Sequence, residues 1–189
     1  LPQLTGVNAT SKGSSIALWR TYEKFFRQAN EYKDVHLVAM WVGLQGPIFS
    51  MKGPLDDAAQ LKGLKMYGLP GPAAKVLEGA GAGVVAAPAV RSHEIISGGT
   101  VDAFAGYSAM DANAFKTLQY AKQIVDVPGG LTSPSFAVFI NKKKWDALSQ
   151  PDRDAITKLG GEAFAARAAV YDEIKAKVRA DAAANMTFK

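Results

Sequence analysis

The residues Val35-His36-Leu37-Val38-Ala39-Met40-Trp41-Val42 form a near-continuous apolar run, and the fold class is inferred from them first. A run of this kind is typical of a strand that is buried on both faces, as in a parallel sheet. Residues 14–31, just before the run, place apolar side chains at helical spacing and predict an amphipathic helix that packs on that sheet. The loop at residues 8–11 supplies N-cap residue types for this helix.

The alternation of helix and strand continues along the chain. Short apolar segments bounded by Gly or Pro predict strands near residues 64–67, 84–90, 100–105 and 135–140. Helical spacing predicts helices over residues 72–79, 92–97 and 111–125. The start signal Ser149-Gln150-Pro151-Asp152 predicts a long helix over residues 151–184. This order of elements indicates an α/β class with a mainly parallel sheet.

Composition limits the classes of function. The 189 residues suffice for one to two domains, and 48% hydrophobic with 21% charged residues is ordinary for a globular protein. There is no Cys, which excludes disulfides and thiolate chemistry. The net charge of +5 is spread thinly and makes no basic stripe, so nucleic-acid binding is not expected. No apolar stretch approaches ~18 residues, so the chain is not expected to be embedded in a membrane.

The residues that usually carry catalysis form no recognisable constellation. His36 lies inside the apolar run and His93 lies beside Glu94, so no metal site is predicted. The glycines of residues 79–83 follow a predicted helix and precede a strand, which is the reverse of the order in a phosphate-binding loop. We therefore expect no cofactor and no catalytic residues, and the pattern favours binding over catalysis.

Three stretches together resemble one family, the extracytoplasmic solute-binding subunits of tripartite ATP-independent periplasmic (TRAP) transporters. They are similar to its Asp-x-x-Gly-x-Lys, Gly-x-Val-Asp-Gly and Ile-Asn-x-x-x-Trp-x-x-Leu elements, and they match in order and spacing. The stretches are Leu61-Lys62-Gly63-Leu64-Lys65-Met66, which Asp56-Asp57 precede, Gly99-Thr100-Val101-Asp102-Ala103 and Ile140-Asn141-Lys142-Lys143-Lys144-Trp145-Asp146-Ala147-Leu148.

The resemblance implies a two-lobed, periplasmic-binding-protein-like α/β fold with mainly parallel sheets. Lobe I would contain residues 1–65 and 133–172, lobe II would contain residues 66–132, and the helix over residues 151–184 would link the lobes. Chains of this family are longer and begin with a signal peptide and a strand–helix–strand unit. The resemblance therefore implies that this sequence is a fragment, which lacks that N-terminal unit and a C-terminal tail.

The function implied by the resemblance is that of a periplasmic solute-binding subunit in a TRAP-type secondary uptake system. It would bind a small organic solute between its lobes, with an organic acid favoured, and integral-membrane permease subunits would be its partners. Two alternatives stay open: an α/β enzyme that uses Asp102 with a histidine, and a ligand-sensing domain of a receptor.

The resemblance also names candidate ligand-binding residues, together with departures from the family pattern. The Arg that usually clamps a substrate carboxylate in this family is replaced by Tyr67, and an often acidic position is occupied by Arg91. We expect the ligand to be bound by Tyr67, Phe104, Tyr107, Trp41 and Arg91. An acid would be held by Arg91, whereas a neutral or cationic ligand would lie against the rings. Alternatively, Tyr67 only packs.

Overall fold

Residues 6, 7 and 9–189 are described in this computed structural model, and their helices and strands are numbered in chain order. The strands are β1 (Val35–Val42), β2 (Ile48–Ser50), β3 (Lys65–Gly68), β4 (Gly83–Ala86), β5 (Ala103–Ala105), β6 (Gln123–Val125), β7 (Ser135–Asn141) and β8 (Thr187–Phe188). The α-helices are α1 (Ser11–Thr21), α2 (Pro72–Gly79), α3 (Ser92–Ser97), α4 (Ala109–Ala114), α5 (Lys142–Asp146), α6 (Gln150–Leu159), α7 (Gly161–Ala166) and α8 (Ala169–Ala182).

The large sheet has six strands in the order β4-β3-β5-β2-β6-β8. Strand β3 is parallel to β4 and β5, and β6 is parallel to β8, whereas β2 is antiparallel to both of its neighbours. With helices interleaved between these strands, the predicted α/β class with a mainly parallel sheet is confirmed for this part of the chain.

Both faces of the large sheet are buried. Alternate residues point to opposite faces of a strand, so Phe49, Tyr67 and Phe104 join one core cluster while their neighbours join another. The first cluster also contains Ile96 of α3, Ala112 of α4 and Ala182 of α8. The second contains Ile48, Met66 and Ala103 together with Leu77 of α2.

The small sheet has two strands, β1 and β7, which are antiparallel. The expectation that the apolar run 35–42 is buried on both faces in a parallel sheet is therefore wrong for this structure. Only Ala39 and Val42 of the run are buried, and α1 and α7 pack on β1. An apolar run indicates a strand, but the extent of its burial and the direction of its partner depend on residues about a hundred positions away.

Helix α1 confirms the predicted helix and its packing on a sheet, although it starts earlier and ends sooner. The predicted apolar face is not its buried face, because the buried residues of α1 are Ser11 and Ser15. Thr10 accepts a hydrogen bond from the Gly13 amide at 3.0 Å, whereas Asn8 lies outside the described residues. After α1 the chain continues as one π turn and one 3₁₀ turn to Asn30, where a φ of +52° ends the helical region. A left-handed residue of this kind terminates a helix because it redirects the backbone.

The helix predicted over residues 111–125 is wrong beyond its first turn. The side chain of Ser108 caps α4, and Lys116 with a φ of +57° lies just beyond its end. Residues 123–125 then form β6, which pairs with β2. The apolar spacing in this segment is the same for a helix as for a turn followed by a short buried strand.

The long helix predicted over residues 151–184 is divided into α6, α7 and α8. The Ser149 cap is confirmed, and the first break falls at Gly160 and Gly161, where Gly161 has a φ of +56°. Helix α8 packs against both α1 and α4, so it touches the layers of both sheets. The lobe boundaries at residues 65 and 132 stay a prediction, and β2 lies in the large sheet.

Candidate functional site

The candidate site lies where β3, β4 and β5 end. These strands are parallel, so their carboxyl ends meet at one edge of the large sheet. Ligands of open α/β sheets bind outside the carboxyl ends of the strands. The residues that follow the three strands here are Leu69, Ala87 and Gly106.

Two segments that connect the sheets also reach this edge. We call residues 43–47 the first crossing segment and residues 126–134 the second crossing segment. They are joined by hydrogen bonds of 2.8 Å from Gly43 N to Pro134 O and from Gly46 N to Thr132 O. A Cβ on Gly46 would lie 3.2 Å from the carbonyl oxygen of Tyr107, so the first segment packs directly on the residues that follow β5.

The tyrosine expected to contact the ligand, Tyr67, is fully buried in β3. Its hydroxyl donates a hydrogen bond of 3.0 Å to the carbonyl oxygen of Ala87, at the end of β4. Burial, with a smaller contribution from Tyr107, raises the pKa of Tyr67 well above its usual value. The hydroxyl therefore stays protonated at neutral pH and acts as a neutral donor.

Tyr107 is held in a similar way by Thr117. The Thr117 hydroxyl donates to the carbonyl oxygen of Ala112 at 3.1 Å, so the Tyr107 hydroxyl is the donor in its 3.1 Å contact with Thr117. Burial raises the pKa of Tyr107, and the hydrogen bond with Thr117 acts in the opposite direction. Tyr107 is thus a second neutral hydroxyl near this edge.

Three of the five predicted residues are brought together. The ring centroid of Tyr107 lies 6.1 Å from that of Tyr67 and 6.0 Å from that of Phe104, and Phe104 stacks on Phe49 at 4.6 Å. All three predicted rings are less than 5% exposed. In this arrangement the rings contact one another and support the edge, and they do not form its outer surface.

Trp41 is not part of this group. It lies in β1 of the small sheet, where its ring stacks on Phe136 at 4.9 Å and meets Phe164 of α7 at 5.5 Å. The sequence placed it near the other rings only through the resemblance, and the structure gives it a separate aromatic cluster.

Arg91 lies at the same edge as Tyr67, in the turn that follows β4. Its guanidinium contacts Glu94 at 3.3–3.4 Å, and its side chain is 59% exposed. An ion pair this long and this exposed holds the side chain weakly.

Three comparisons with known proteins bear on this arrangement. No family model matches the chain. A protein of Comamonas testosteroni called outer membrane transporter protein TsaT is 53% identical over 184 residues, which are 97% of this chain and 54% of that protein.

Solved structures give the more detailed likeness. A TRAP periplasmic solute-binding protein from Bordetella bronchiseptica with bound (R)- and (S)-mandelate is 30% identical, with a TM-score of 0.86 over 99% of this chain and 60% of that one. A TRAP solute-binding protein from Rhodoferax ferrireducens with copurified benzoate is 25% identical, with a TM-score of 0.86 over 99% and 59%. This chain is similar in sequence and in fold to TRAP solute-binding proteins.

The resemblance drawn from the three sequence stretches is thereby confirmed, and so is the expected fold. This TRAP-related chain spans about half the length of the curated relative and about 60% of the two solved chains. Within the described residues, no helix is both long and apolar enough to cross a bilayer.

Ser133 is a residue of the edge region that sequence reasoning missed. It lies in the second crossing segment, is fully buried, and its hydroxyl has no hydrogen-bond partner among the described residues. An unpaired buried hydroxyl is costly, so Ser133 is a candidate for contact with a further hydrogen-bonding group. The polar pair Thr132-Ser133 in front of an apolar strand was the available signal.

The enzyme alternative finds no support in the partners of Asp102. This carboxylate pairs with Lys52 and accepts from the Lys65 amide at 2.8 Å, and these two hydrogen bonds lower its pKa. His36 stacks on Trp145 near the small sheet, and His93 faces Tyr120. Across residues 6, 7 and 9–189, no three His, Asp or Glu side chains converge as a metal site would require.

Proposed function

We propose that the chain is part of a TRAP-type solute-binding protein that binds one small organic acid between its lobes and has no catalytic activity. The observation that carries the proposal is the likeness to TRAP solute-binding proteins over 99% of the chain. Both of those proteins hold an organic acid that contains an aromatic ring, mandelate in one and benzoate in the other.

The geometry supports binding between the two sheets. The edge formed by β3, β4 and β5 faces the two crossing segments, which lead to the small sheet. A ligand that touches both sides favours the arrangement in which they are close together, which is how hinge closure works.

Arg91 is the proposed partner of the ligand carboxylate. Its guanidinium offers a planar pair of donors that matches a carboxylate, and its contact with Glu94 is long and exposed. The Tyr67 and Tyr107 hydroxyls are already engaged with Ala87 and Thr117, so we assign them the support of the edge. The Ser133 hydroxyl is proposed as a neutral hydrogen-bonding group for the ligand.

Partners and location follow from the same family. We assign the protein to the periplasm, where integral-membrane permease subunits would receive the ligand from its closed form. The curated relative is called an outer membrane transporter protein, so the location has an alternative. Cell fractionation with an antibody against the native protein distinguishes a periplasmic protein from one that remains with the outer membrane.

Thermal unfolding with benzoate and with mandelate tests the proposal. A ligand that binds only the native state adds about 2.7 kcal/mol at a hundredfold excess over Kd, so at least one of these acids, or a related acid, should raise the Tm. Arg91→Gln should remove the increase. Arg167→Gln is the control, because Arg167 is also exposed but directly follows α7, which packs on β1 of the small sheet.

Two results would contradict the proposal. The first is a broad panel of organic acids that leaves the Tm unchanged, and the second is conversion of any acid in the panel to a product. An increase that Arg91→Gln leaves intact would keep the proposed function but overturn the role of Arg91.

A further inference from the structure

One face of α8 carries three charged side chains that each bind a different part of the molecule. They are Asp172, Lys175 and Arg179, which are three and four residues apart. Residues with this spacing lie on the same face of a helix. We call these three residues the α8 ladder.

The first member, Asp172, binds the start of α1. Its carboxylate accepts hydrogen bonds from the amides of Ser11 at 2.8 Å and Lys12 at 3.2 Å. These amides belong to the first turn of α1, where backbone donors lack partners within the helix and a negative charge is favourable. Because α1 packs on β1, this contact ties α8 to the layer of the small sheet.

The second member, Lys175, binds the first crossing segment. Its ammonium donates to the side-chain oxygen of Gln45 at 2.9 Å, and the side-chain nitrogen of Gln45 donates to the carbonyl oxygen of Ala9 at 2.6 Å. One chain of hydrogen bonds therefore runs from α8 through the crossing segment to the residues that precede α1.

The third member, Arg179, binds the second crossing segment and the far edge of the large sheet. Its guanidinium forms an ion pair with Asp126, the first residue of that segment. The guanidinium carbon also lies 4.4 Å from the ring centroid of Phe188 in β8. Both partners of the ion pair are only about one-third exposed, so water weakens it less than a fully exposed pair.

A cavity separates part of α8 from the crossing segments. Its volume is about 240 Å³, and its lining includes Gln45, Asp126, Gly130 and Lys175. The bonds of Lys175 to Gln45 and of Arg179 to Asp126 therefore link α8 to residues that line the cavity.

We infer that Lys175 and Arg179 are positioning residues that hold the relative orientation of the two sheets. Both crossing segments are bonded to one helix, so a change in the angle between the sheets must break these bonds or move α8 with it. Helices move as rigid elements in hinge and shear closure, which makes such ties selective for particular arrangements. The inference deepens the proposed function. It rests on that function only where it interprets the motion as closure of the lobes around a ligand.

A distance measurement without ligand tests the inference. The chain has no Cys, so Lys75→Cys on α2 and Lys144→Cys on α5 place one spin label on the layer of each sheet at exposed positions. Pulsed electron resonance then gives the distribution of distances between them. Adding Lys175→Met and Arg179→Met should shift the ratio of the populated distances by about fivefold and broaden the distribution, the change that corresponds to ~1 kcal/mol.

The control removes the same charge elsewhere. Lys158→Met with Lys177→Met changes two exposed lysines of α6 and α8 and should leave the distribution unchanged. Lys175→Arg in an otherwise native ladder should also leave it unchanged, since the cation is kept. A double variant with the native distribution, or a control that broadens it equally, would overturn the inference.

A second readout covers the case in which the double variant unfolds. The single variant Lys175→Met should raise the rate of amide hydrogen exchange in residues 43–47, while the rates in β3 and β5 remain those of the native protein. An equal change in rate throughout the protein, or no change in residues 43–47, would refute the positioning role. Because no ligand is present, failure here leaves the binding proposal intact, and failure of the binding assays leaves the distances valid.

Discussion

The two sheets use the same residue types and bury them to different extents. In the large sheet, Phe49, Tyr67 and Phe104 are completely buried, with helices on both sides. In the small sheet, Phe136 and Phe139 of β7 are 45% and 56% exposed. Burial of apolar area is the main favourable contribution to folding, so the free energy of unfolding must come mostly from the large sheet.

The difference also teaches where motion starts. A two-stranded sheet is only marginally stable by itself, whereas a six-stranded sheet with two covered faces is stable. Local opening begins where few apolar contacts are buried. We therefore expect the small sheet to open before the large sheet, with the crossing segments as the boundary.

A matched pair of truncations gives the largest expected difference between the sheets. Phe104→Ala removes a buried ring that stacks on Phe49, and it should lower the free energy of unfolding by about 3–5 kcal/mol. Phe136→Ala removes a half-exposed ring that stacks on Trp41 and should cost about 1 kcal/mol. Urea unfolding measures both, and equal losses would mean that the small sheet is as well packed as the large one.

Removal of one hydroxyl should have a smaller effect. Tyr67→Phe leaves the buried carbonyl of Ala87 without its donor and should destabilise the protein by about 1–3 kcal/mol. Tyr171→Phe, on the half-exposed α8 surface, serves as the control and should change the free energy of unfolding by less than ~0.5 kcal/mol.

The Tyr67→Phe variant also tests whether Tyr67 contacts the ligand. Calorimetry with an acid that binds should give the same affinity for Tyr67→Phe as for the native protein if the ring only supports the edge. A loss of several-fold, at a concentration where the variant is fully folded, would assign Tyr67 to the ligand.

The smallest effect is expected for an ion pair at the entry to β5. Asp102 connects β5 to β3, since its amide donates to Lys65 O at 2.7 Å while its carboxylate accepts from Lys65 N. The hydrogen bond from Lys52 is the largest cause that holds the pKa of Asp102 below its ordinary value of 3.8. A lowered pKa stabilises the protein above that value, and the contribution is lost as the pH falls through the lower folded-state pKa.

Lys52→Met should therefore reduce stability at pH 7 by less than ~1 kcal/mol, because the Lys52 side chain is 70% exposed. The difference from the native protein should vanish under acid conditions in which Asp102 is protonated. Lys62→Met, at another exposed lysine before β3, should show no such pH dependence. A loss that persists in acid would point to packing of the lysine stem instead.

The sequence predicted β3, β4 and β5 of the large sheet because their signals are local, whereas it gave no strand for β2 or β8 and placed β6 in a helix. Pro72 opens α2, Gly68 ends β3, and the apolar stretch at 83–86 follows a glycine turn, so helix and strand boundaries come within a few residues of their true positions. The edge of the site follows from these boundaries, and Tyr67, Phe104 and Tyr107, which were named through the family resemblance, lie in one core cluster beside it. Their contact with a ligand stays a prediction.

The features that the sequence did not predict depend on contacts between residues that are distant in the sequence. The partner of β1 lies beyond residue 130, and no periodicity within residues 35–42 shows whether it is parallel or antiparallel. The same limit explains Trp41, whose ring cluster is set by Phe136 and Phe164, and Ser133, whose burial depends on both crossing segments. The apolar face of α8 could be predicted from the spacing of its residues. Its polar contacts could not, because their partners lie far away in the sequence.

Gly160, at the break between α6 and α7, carries a restriction that comes from another part of the chain. A Cβ at this position would lie 2.6 Å from the carbonyl oxygen of Val38 in β1, a distance that real Cβ atoms do not reach. The neighbouring Leu159 is 52% exposed and meets no such obstacle. Among homologous sequences, position 159 should therefore vary in residue type. Position 160 should remain Gly unless β1 is displaced.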